Sequence, residues 1–413
     1  MIVNICVSIN YRRCLNMAGS YADIIKRKQR EWNCPNLMDS SNSMRSAKIP
    51  FSSPLLSWMT YGGIPRNKIT EFFGAPSSGK TTTCIDVCKN AVKLFKEEHE
   101  AALQQFRDEI SKGNKAAQSQ LEDLQERGPK KVLYIDLEHA FDAQWAKTLG
   151  IDNSDIDIMQ PPDVVAEDIL QTLQELIETG DIGVAVLDSI PSLVPRAELE
   201  KKYGERTVAA LAGLLTVFCR KVVPLLTRYE TTLILINQVR ENMDNPYVVK
   251  TPGGEAVKFY SCLRILFQSG NPVDFLGNEL PKSTENPSGY IVQAKVQKQK
   301  SAPNDRKSGS YYLMIQSGIR ADMDYAILAV KKYGIIKKAG AWFTLTNPDT
   351  GEVLENDGKL VKLNGMAAVF DYLQTHPDYY DSLRTYIMND INGTSSDGVE
   401  PELPSMFDVE VSE

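Results

Sequence analysis

The sequence contains few of the residues that build metal clusters, disulfide frameworks or membrane spans. It has three histidines and seven cysteines in 413 residues, and no second cysteine pair accompanies Cys84 and Cys88. An odd, scattered set of cysteines excludes a disulfide framework and does not favour a metal site, so we expect buried thiols. The composition shows no long apolar run, the opening MIVNICVSIN is too short to span a bilayer, and Arg12 and Arg13 follow this apolar start instead of preceding it. Because a signal peptide has the opposite order, we expect a cytoplasmic protein with no membrane partner.

Positive charge is missing from the last part of the chain. After Arg384 there is no lysine or arginine, whereas seven acidic residues follow and account for the whole net charge of −7. The rest of the chain is neutral overall with local basic segments, so the net charge does not exclude a nucleic-acid partner. The segment 389–413 is acidic and contains Gly, Ser and Pro, which predicts a disordered tail. Its role is either solubility or competition with DNA phosphates for basic surfaces.

Apolar runs that end in polar or glycine residues predict buried strands of a parallel sheet. Four such runs are KITEFFG (68–74), KKVLYIDLE (130–138), DIGVAVLDS (181–189) and TTLILINQ (231–238). Helical patterns between them cover 81 to about 95, 164–179 and 208–226. This alternation is typical of an α/β fold with a mainly parallel central sheet flanked by helices, in which ligands collect at the carboxyl ends of the strands.

A segment over about 96–130 interrupts the pattern. It is dense in Glu, Gln, Lys and Ala, and its charges alternate in sign. Such a composition predicts a solvated helical hairpin, broken near Gly113. We interpret it as an insertion without assigned chemistry.

The stretch GAPSSGKTTT indicates a phosphate-binding loop. Gly74, Gly79, Lys80 and Thr81 fit the pattern G-x-x-x-x-G-K-[ST] between a predicted strand and a predicted helix. Backbone N–H groups and the helix dipole would bind phosphate, Lys80 would neutralise it, and the Thr81 hydroxyl could coordinate Mg²⁺. The expected cofactors are ATP and Mg²⁺. The loop residues predicted to bind them are Gly74, Pro76, Ser77, Ser78, Gly79, Lys80, Thr81 and Thr82.

Two acidic residues close later predicted strands. Asp188 follows four apolar residues, where it would hold Mg²⁺ together with Thr81. Glu138 ends the intervening strand and is the candidate general base that orients the attacking water. A surface acid near a helix start is the alternative interpretation of Glu138.

Five motifs resemble the bacterial RecA recombinase family and its phage relatives in order and spacing. They are GAPSSGKTT, YIDLEHAFDAQWAKTLGID, VLDSIPSLVPRAELE, LILINQVR and TPGGEAVKFY, and the resemblance runs from about residue 49 to 342. The helical insertion is more typical of a phage-type member. The resemblance implies a short N-terminal segment that could hold a polymerisation helix (1–48), a RecA-type P-loop core (49–335) and a small C-terminal α/β domain (336–388).

The resemblance also implies a function. A protein of this family forms filaments on single-stranded DNA, pairs it with homologous double-stranded DNA and exchanges strands, with DNA-stimulated ATP hydrolysis. The implied location is the cytoplasm of a bacterial cell or of a phage-infected host. Single-strand-binding and mediator proteins are further candidate partners.

Roles carried over from the family concern the nucleotide first. The resemblance implies that Asp142 and Trp145 contact adenine, although Trp145 could equally be core packing. It implies that Gln238 senses the γ-phosphate, although an amide at a strand end could be structural. Pro76 stands where the bacterial family usually has glutamate.

Lys298 and Lys300 lie two residues apart, so on a strand both point to one face. The matching lysines of the family reach the ATP of the neighbouring subunit, and Lys298 and Lys300 therefore join Glu138 and Lys80 as candidate catalytic residues. A basic hairpin that touches only DNA is the competing interpretation.

Two loops, near residues 201–208 and 240–254, match the DNA-contacting loops of the family. Cations would bind phosphates, and bulky side chains would wedge between bases. Because neither contact depends on base identity, such loops can bind DNA of any sequence. Ordinary surface loops are the alternative. The candidate DNA-binding residues are Lys201, Lys202, Arg206, Val208, Arg240, Met243, Tyr247, Lys250, Gly253 and Gly254.

Two other functions remain open from the sequence. A ring-shaped hexameric DNA helicase shares the core fold and the phosphate loop, and a non-catalytic ATP-gated DNA-binding accessory protein would need no turnover. The TPGGEAVKFY loop and the paired lysines favour the recombinase over the helicase. The presence of Lys80, Glu138 and Asp188 together disfavours the accessory protein.

Overall fold

The computed structural model describes residues 23, 26–28, 31, 47–202, 209–239, 251–356 and 358–393. The chain divides into two units, Met1–Ala47 and Lys48–Glu413. In the first unit residues 23, 26–28 and 31 are helical, and Nζ of Lys28 lies 2.6 Å from Oε2 of Glu31. Most of the segment predicted to hold a polymerisation helix lies outside the described residues. The predicted start of the disordered tail at residue 389 is wrong, because the last helix of the described chain continues to Asn392; residues 394–413 of that tail lie outside the described part.

The strands belong to the second unit. In chain order they are β1 (Lys48–Ile49), β2 (Ile64–Pro65), β3 (Ile69–Gly74), β4 (Lys131–Asp136), β5 (Ile156–Met159), β6 (Ile182–Asp188), β7 (Thr232–Gln238), β8 (Leu263–Val273), β9 (Gly289–Gln299), β10 (Ser308–Met314), β11 (Gly318–Ile319), β12 (Ile336–Ala339), β13 (Trp342–Leu345), β14 (Glu355–Asn356), β15 (Lys359–Leu360) and β16 (Lys362–Asn364).

The helices of the same unit alternate with these strands over most of its length. They are α1 (Pro54–Met59), α2 (Lys80–Ser111), α3 (Ala117–Arg127), α4 (Ala143–Thr148), α5 (Ala166–Glu178), α6 (Arg196–Leu199), α7 (Ala210–Arg228), α8 (Gly254–Tyr260), α9 (Ala321–Lys331), α10 (Met366–Thr375) and α11 (Pro377–Asn392).

The central sheet has the order β11-β10-β9-β8-β3-β7-β6-β4-β5. From β8 to β5 every neighbouring pair is parallel, whereas β8, β9, β10 and β11 pair antiparallel. This arrangement confirms the predicted α/β class with a mainly parallel central sheet flanked by helices. The antiparallel extension and the short edge strand β5 were not predicted.

Each face of the sheet is covered by a separate apolar cluster. Successive residues of β7 alternate between the two clusters: Leu233 and Leu235 belong to one, and Ile234 and Ile236 to the other. Helices α5 and α7 cover the first face, and α2, α9, α10 and α11 contribute to the second. Burial of each such aliphatic side chain stabilises the fold by about 1.5–3 kcal/mol, so both clusters hold the strand ends in fixed positions.

The predicted helical hairpin over about 96–130 is confirmed, but its first half is continuous with the helix that was expected to end near residue 95. Helix α2 continues past residue 95 to Ser111, because the whole span contains neither glycine nor proline and is rich in strong helix formers. The chain turns at Gly113 (φ 91°) and returns as α3, and Leu103 and Leu121 are buried in the hairpin.

Helix α7 is the one helix among the described residues that is long and apolar enough to cross a membrane by length and composition. One face of it is buried against the sheet through Leu215, Phe218 and Val222, while Arg220 and Lys221 are exposed half-way along. We therefore interpret α7 as a core helix.

Small sheets and two helices end the described chain. Strands β12, β13 and β16 form one antiparallel sheet, and β14 and β15 form another. Leu383 and Ile387 of α11 belong to the same apolar cluster as the residues of α9, so residues 336–393 pack as part of the second unit.

Candidate active site

The loop between β3 and α2 is shaped by two glycines. Gly79 has a left-handed backbone (φ 86°) directly before the first helical residue. A Cβ on Gly74 would lie 2.2 Å from the carbonyl oxygen of Phe267 and 2.7 Å from Oγ of Ser78, so the chain passes there only as glycine. No side chain of the described residues caps the helix, which leaves its first N–H groups facing the loop. A helix N-terminus of this kind binds phosphate through its N–H groups and its dipole.

Lys80 lies inside this loop. Its Nζ donates to the carbonyl oxygen of Ala75 at 2.7 Å and lies 3.5 Å from Oγ of Ser78. Burial lowers the pKa of Lys80, and the negative charges of Asp188 and Glu138 oppose that decrease. The ammonium group is therefore surrounded by the loop on one side and by two carboxylates on the other. A phosphate entering the loop would meet this positive charge directly.

Asp188 ends β6 beside the loop and accepts two hydroxyl hydrogen bonds. Oγ1 of Thr81 lies 3.1 Å from Oδ2, and the hydroxyl of Tyr134 lies 2.6 Å from the same oxygen. Burial raises the pKa of Asp188 to about 6, and the charge of Glu138 acts in the same direction, while both hydrogen bonds oppose it. A carboxylate held in this way gains from any cation placed next to it.

Thr81 and Asp188 fit a magnesium ion by their chemistry. Mg²⁺ prefers hard oxygen ligands and is usually bound by few protein groups, with water and substrate phosphate completing the shell. The hydroxyl and the carboxylate provide two such oxygens at the edge of the phosphate loop. These residues would hold the ion, which would supply charge neutralisation for the β- and γ-phosphates.

Glu138 follows β4 and reaches the ends of two other strands. Its Oε1 accepts hydrogen bonds from the hydroxyl of Ser189 and from Nε2 of Gln238, the latter at 3.0 Å. The predicted water-orienting acid and the predicted sensor amide are thus in direct contact, although 100 residues separate them in the chain. A single oxygen atom connects the ends of β4, β6 and β7.

The backbone that carries Glu138 is held by Asp136, which the sequence analysis missed. Its carboxylate accepts the N–H groups of Glu138 at 3.1 Å and Phe141 at 2.8 Å, and it also accepts Nε2 of Gln160 at 2.9 Å. An acid at the last position of a buried strand was the available signal. Asp136 orients the chain that follows β4. These contacts explain its position without any role in the chemical reaction.

Asp142 and Trp145 lie at the start of α4. The carboxylate of Asp142 caps this helix by accepting the N–H groups of Gln144 at 2.8 Å and Trp145 at 3.0 Å. The indole of Trp145 is half-buried and packs against the apolar cluster on the α2 face. These contacts give both residues a local structural role, and contact with adenine stays a prediction.

Lys298 and Lys300 lie away from the phosphate loop of their own chain. Lys298 pairs with Arg264, near the start of β8, while Gly74 pairs with Phe267 three residues further along that strand. Nζ of Lys298 donates to the carbonyl oxygens of the residues that end α8, and Nζ of Lys300 donates to one of them. Burial lowers the pKa of Lys298 to about 8, and the charge of Lys300 adds to that decrease.

Comparison with known proteins gives one family. A model of the RecA N-terminal domain matches residues 106–320. Protein RecA of Thermus aquaticus is 31% identical over 79% of this chain and 80% of its own length, and Protein RecA of Aquifex aeolicus is 32% identical over 84% of each. Protein RecA of Bdellovibrio bacteriovorus is 31% identical over 82% of this chain and 78% of its own length.

The chain belongs to the RecA family. A match that covers 84% of 413 residues must include the glycine loop, so the likeness to RecA extends to the site and not only to the domain matched by the family model. The predicted resemblance to the bacterial RecA family is therefore confirmed.

The other predicted residues of the phosphate loop differ in exposure. Pro76 and Ser77 are exposed, Thr82 is half-buried and Ser78 is buried. Ser77 has a positive φ of 56°, so the loop turns sharply there. Pro76 lies at the exposed tip, where it leaves no carboxylate in the position that RecA usually gives to glutamate.

The predicted DNA-contacting loops of this RecA-family chain are described only at their borders. Lys201 and Lys202 are exposed. Six predicted residues lie outside the described part: Arg206, Val208, Arg240, Met243, Tyr247 and Lys250.

Gly253 and Gly254 open helix α8 and have positive φ angles of 90° and 74°. A Cβ on Gly253 would lie 2.7 Å from Cδ1 of Leu215, and one on Gly254 would lie 2.8 Å from Cβ of Ala212. Close packing on α7 therefore accounts for both glycines, and contact with DNA stays a prediction.

A buried polar network beneath the site was also missed. Glu71 of β3 is fully buried and accepts hydrogen bonds from Nε of Arg264 and from Nδ2 of Asn237, the latter at 2.9 Å. Asn237 also donates to the carbonyl oxygen of Pro252 at 3.1 Å, and its Oδ1 accepts the N–H of Gln238. The network connects β7, which carries the predicted sensor Gln238, to Pro252 near the end of the second predicted DNA loop. A glutamate inside an apolar strand was the signal for it.

The raised pKa of Asp188 makes a stability prediction. A carboxyl whose pKa rises from 3.8 to about 6 on folding favours the fold while it is protonated, and this contribution is lost as the pH rises through 6. Without Mg²⁺ we therefore expect Asp188→Asn to be more stable than the unmodified chain by about 1–3 kcal/mol at pH 8. The difference should disappear near pH 4. Urea unfolding from pH 4 to pH 8 in EDTA measures it, and a difference independent of pH would contradict the assignment.

Proposed function

We propose that this chain is an ATP-dependent homologous recombination protein that forms filaments on single-stranded DNA and catalyses homologous pairing and strand exchange with DNA-stimulated ATP hydrolysis. One observation carries the proposal: the ends of β3, β4, β6 and β7 bring a phosphate loop, two acids and an amide into one hydrogen-bonded group. Membership of the RecA family supports the same conclusion.

Within this group each residue has a distinct task. The loop and Lys80 bind the phosphates, while Thr81 and Asp188 hold Mg²⁺. Glu138 orients water toward the γ-phosphate and accepts its proton. Its carboxylate already accepts two donors, and a third partner can use the second oxygen. The site therefore provides positioning and charge stabilisation, which phosphoryl transfer chiefly needs.

Gln238 couples this chemistry to DNA. Its amide donates to Glu138 at 3.0 Å, and the second predicted DNA loop, residues 240–254, begins two residues later in the chain. A γ-phosphate offers this donor a competing, charged acceptor, and a change of partner at Gln238 would be passed to the loop. The Asn237 contact to Pro252 connects the other end of the loop to the same strand.

Filament assembly would complete the site. Phe259 is 66% exposed and lies beside the cations Lys298 and Lys300, whose Nζ atoms are 5.9 and 5.2 Å from its ring centroid. An exposed aromatic residue with two lysines is a suitable surface for a second copy of the chain. In the filament, Lys298 and Lys300 would reach the ATP of the neighbouring subunit and stabilise charge on the transferring group.

DNA binding and the cellular setting belong to the same proposal. The two loops, with the candidate residues named above, bind phosphates and wedge between bases of single-stranded and then double-stranded DNA. A phage-type protein of this kind acts in the cytoplasm of the bacterial host, with single-strand-binding and mediator proteins as partners. The acidic tail that follows α11 competes with DNA for the basic surfaces.

Joint-molecule formation tests the proposal. A labelled single strand, a homologous supercoiled duplex, Mg²⁺ and ATP are incubated with the protein or with Lys80→Ala. We expect product that requires homology and ATP, and at least a hundredfold loss in the variant, because the ammonium group is the main positive charge at the phosphates. A non-homologous duplex is the control for nonspecific capture.

The alternatives predict other results. DNA-stimulated ATP turnover with directional unwinding and no joint molecules would contradict the recombinase and support a ring-shaped helicase. ATP-gated DNA binding without turnover would support a non-catalytic accessory protein. Parallel reactions contain a single-strand-binding protein, which melts secondary structure in the single-stranded DNA. Missing product in these reactions is then not caused by such secondary structure.

A further inference from the structure

Tyr134 is a buried tyrosine in the middle of β4. It is 1% exposed, and its ring packs against Phe141 with a centroid distance of 5.1 Å. Side chains of β4 lie next to those of β6, where Tyr134 pairs with Val186 and Asp136 pairs with Asp188. The ring would pack equally well as phenylalanine. Only the hydroxyl therefore distinguishes this residue from an ordinary core aromatic.

That hydroxyl has one acceptor among the described residues, Oδ2 of Asp188, at 2.6 Å. Oγ1 of Thr81 donates to the same oxygen at 3.1 Å. Within the described part of the chain, no side-chain or backbone donor reaches Oδ1 of Asp188. Both hydroxyls thus act on one side of the carboxylate and leave the other oxygen for a further partner.

The two donors differ in how firmly they are held. Thr81 lies on the exposed first turn of α2, and in the proposed function its own oxygen binds the metal ion. Tyr134 lies on β4, which is flanked by β6 and β5, and it is part of the buried apolar cluster on the α2 face of the sheet. Its position does not depend on nucleotide or metal. It is therefore the donor that can orient the carboxylate before either arrives.

We propose that Tyr134 is a positioning residue for the metal site: its hydroxyl fixes the rotation of the Asp188 carboxylate so that Oδ1 meets a water molecule of the nucleotide-bound Mg²⁺. This inference rests on the proposed function of Thr81 and Asp188 in holding the ion. It makes the Tyr134 hydroxyl a contributor to the gain in nucleotide affinity that Mg²⁺ provides. Nucleotide binding without Mg²⁺ does not depend on the hydroxyl.

Tyr134→Phe tests this inference by equilibrium binding. Calorimetric titration with ADP is performed in EDTA and in Mg²⁺, and the ratio of the two affinities is the Mg²⁺ gain. We expect equal affinities of variant and unmodified protein in EDTA, and a Mg²⁺ gain about tenfold smaller in the variant, since loss of a partner of a metal ligand typically costs about 10–100-fold. The melting temperature of each protein without nucleotide checks the fold.

Tyr311→Phe is the matched control. Tyr311 is also fully buried, and its hydroxyl lies 2.6 Å from Oγ1 of Thr83 on the same helix α2, away from Asp188. It should keep the full Mg²⁺ gain. A reduced gain in both variants would overturn the inference, because any buried hydroxyl near the helix would then matter equally.

A double variant separates positioning from packing. With Asp188→Asn already present, adding Tyr134→Phe should not lower the Mg²⁺ gain further, since the hydroxyl acts through this carboxylate. An additive loss would overturn the inference, as would an unchanged gain in Tyr134→Phe alone. Absence of any Mg²⁺ gain in the unmodified protein would instead refute the proposed metal site. The failures of the two proposals are therefore distinguishable.

Discussion

Glu138→Gln should lower the rate of ATP hydrolysis on single-stranded DNA by about 10²–10⁴-fold, the usual contribution of a general base. Glutamine keeps an oxygen that can accept the hydroxyl of Ser189 and the amide of Gln238. The loop geometry should therefore survive, while the ability to take a proton from water is lost. Phosphate release under saturating ATP and DNA measures the effect.

Binding separates this interpretation from a structural defect. We expect Glu138→Gln to bind ATP and single-stranded DNA as tightly as the unmodified protein, and to hold the filament longer because hydrolysis no longer resets it. Glu175→Gln, an exposed acid on α5, is the matched control and should keep normal turnover. Unchanged hydrolysis in Glu138→Gln would move the general base to another residue, and loss of ATP binding would make Glu138 a structural acid.

Local sequence patterns were sufficient for the parallel core of this fold. Strands β3, β4, β6 and β7 are continuous apolar runs because both faces are buried, and each ends in the residues that the site uses. The antiparallel extension is less visible from sequence. Strand β9 alternates buried and exposed residues and contains several lysines and glutamines, so its apolar content is too low to predict a core strand.

The end of α2 was also hard to predict from the apolar pattern alone. Periodicity ends where the helix leaves the core, near residue 95, but helical structure continues to Ser111. Propensity alone carries the exposed part, because nothing in the sequence stops a helix before Gly113. An apolar pattern therefore predicts where a helix packs and not where it ends.

The residues of the candidate site that belong to sequence motifs could be predicted. The hydrogen-bonded contacts between residues of different strands could not. Lys80, Thr81, Glu138 and Asp188 stand at strand or helix ends in recognisable patterns. The contacts of Glu71 with Asn237 and Arg264 depend on β3 lying between β7 and β8, and this strand order is a tertiary property. Sequence spacing contains no information on which buried polar groups become neighbours.

Changing both Lys298 and Lys300 to alanine should have the second large effect. Cations that reach a transferring phosphoryl group from a neighbouring subunit typically raise turnover by about 10³–10⁵-fold, so we expect a loss of about a thousandfold in DNA-stimulated ATP hydrolysis. Binding of ATP by isolated subunits should change little, since both lysines lie away from the loop of their own chain. Equal loss of binding and turnover would exclude a role across the interface.

A control is needed to show that the effect comes from these two lysines and not from the loss of two positive charges in general. Lys112→Ala with Lys115→Ala removes the same charge from the exposed turn between α2 and α3, and it should leave turnover and assembly unchanged. Filament length in the presence of a slowly hydrolysed ATP analogue, measured by light scattering, reports assembly. Shorter filaments only in the Lys298 and Lys300 variant would agree with an interface role.

Mixing two inactive variants decides whether the lysines act on their own chain or on a neighbour. Glu138→Gln has normal lysines, and the double lysine variant has a normal Glu138. In a mixed filament a complete site forms wherever the loop of a lysine variant faces the lysines of a Glu138→Gln subunit. Random mixing at equal amounts should therefore restore about one quarter of normal turnover, as expected for a head-to-tail interface. Lysines that served their own chain would give no recovery at any ratio, because every subunit would then lack one of its own catalytic groups.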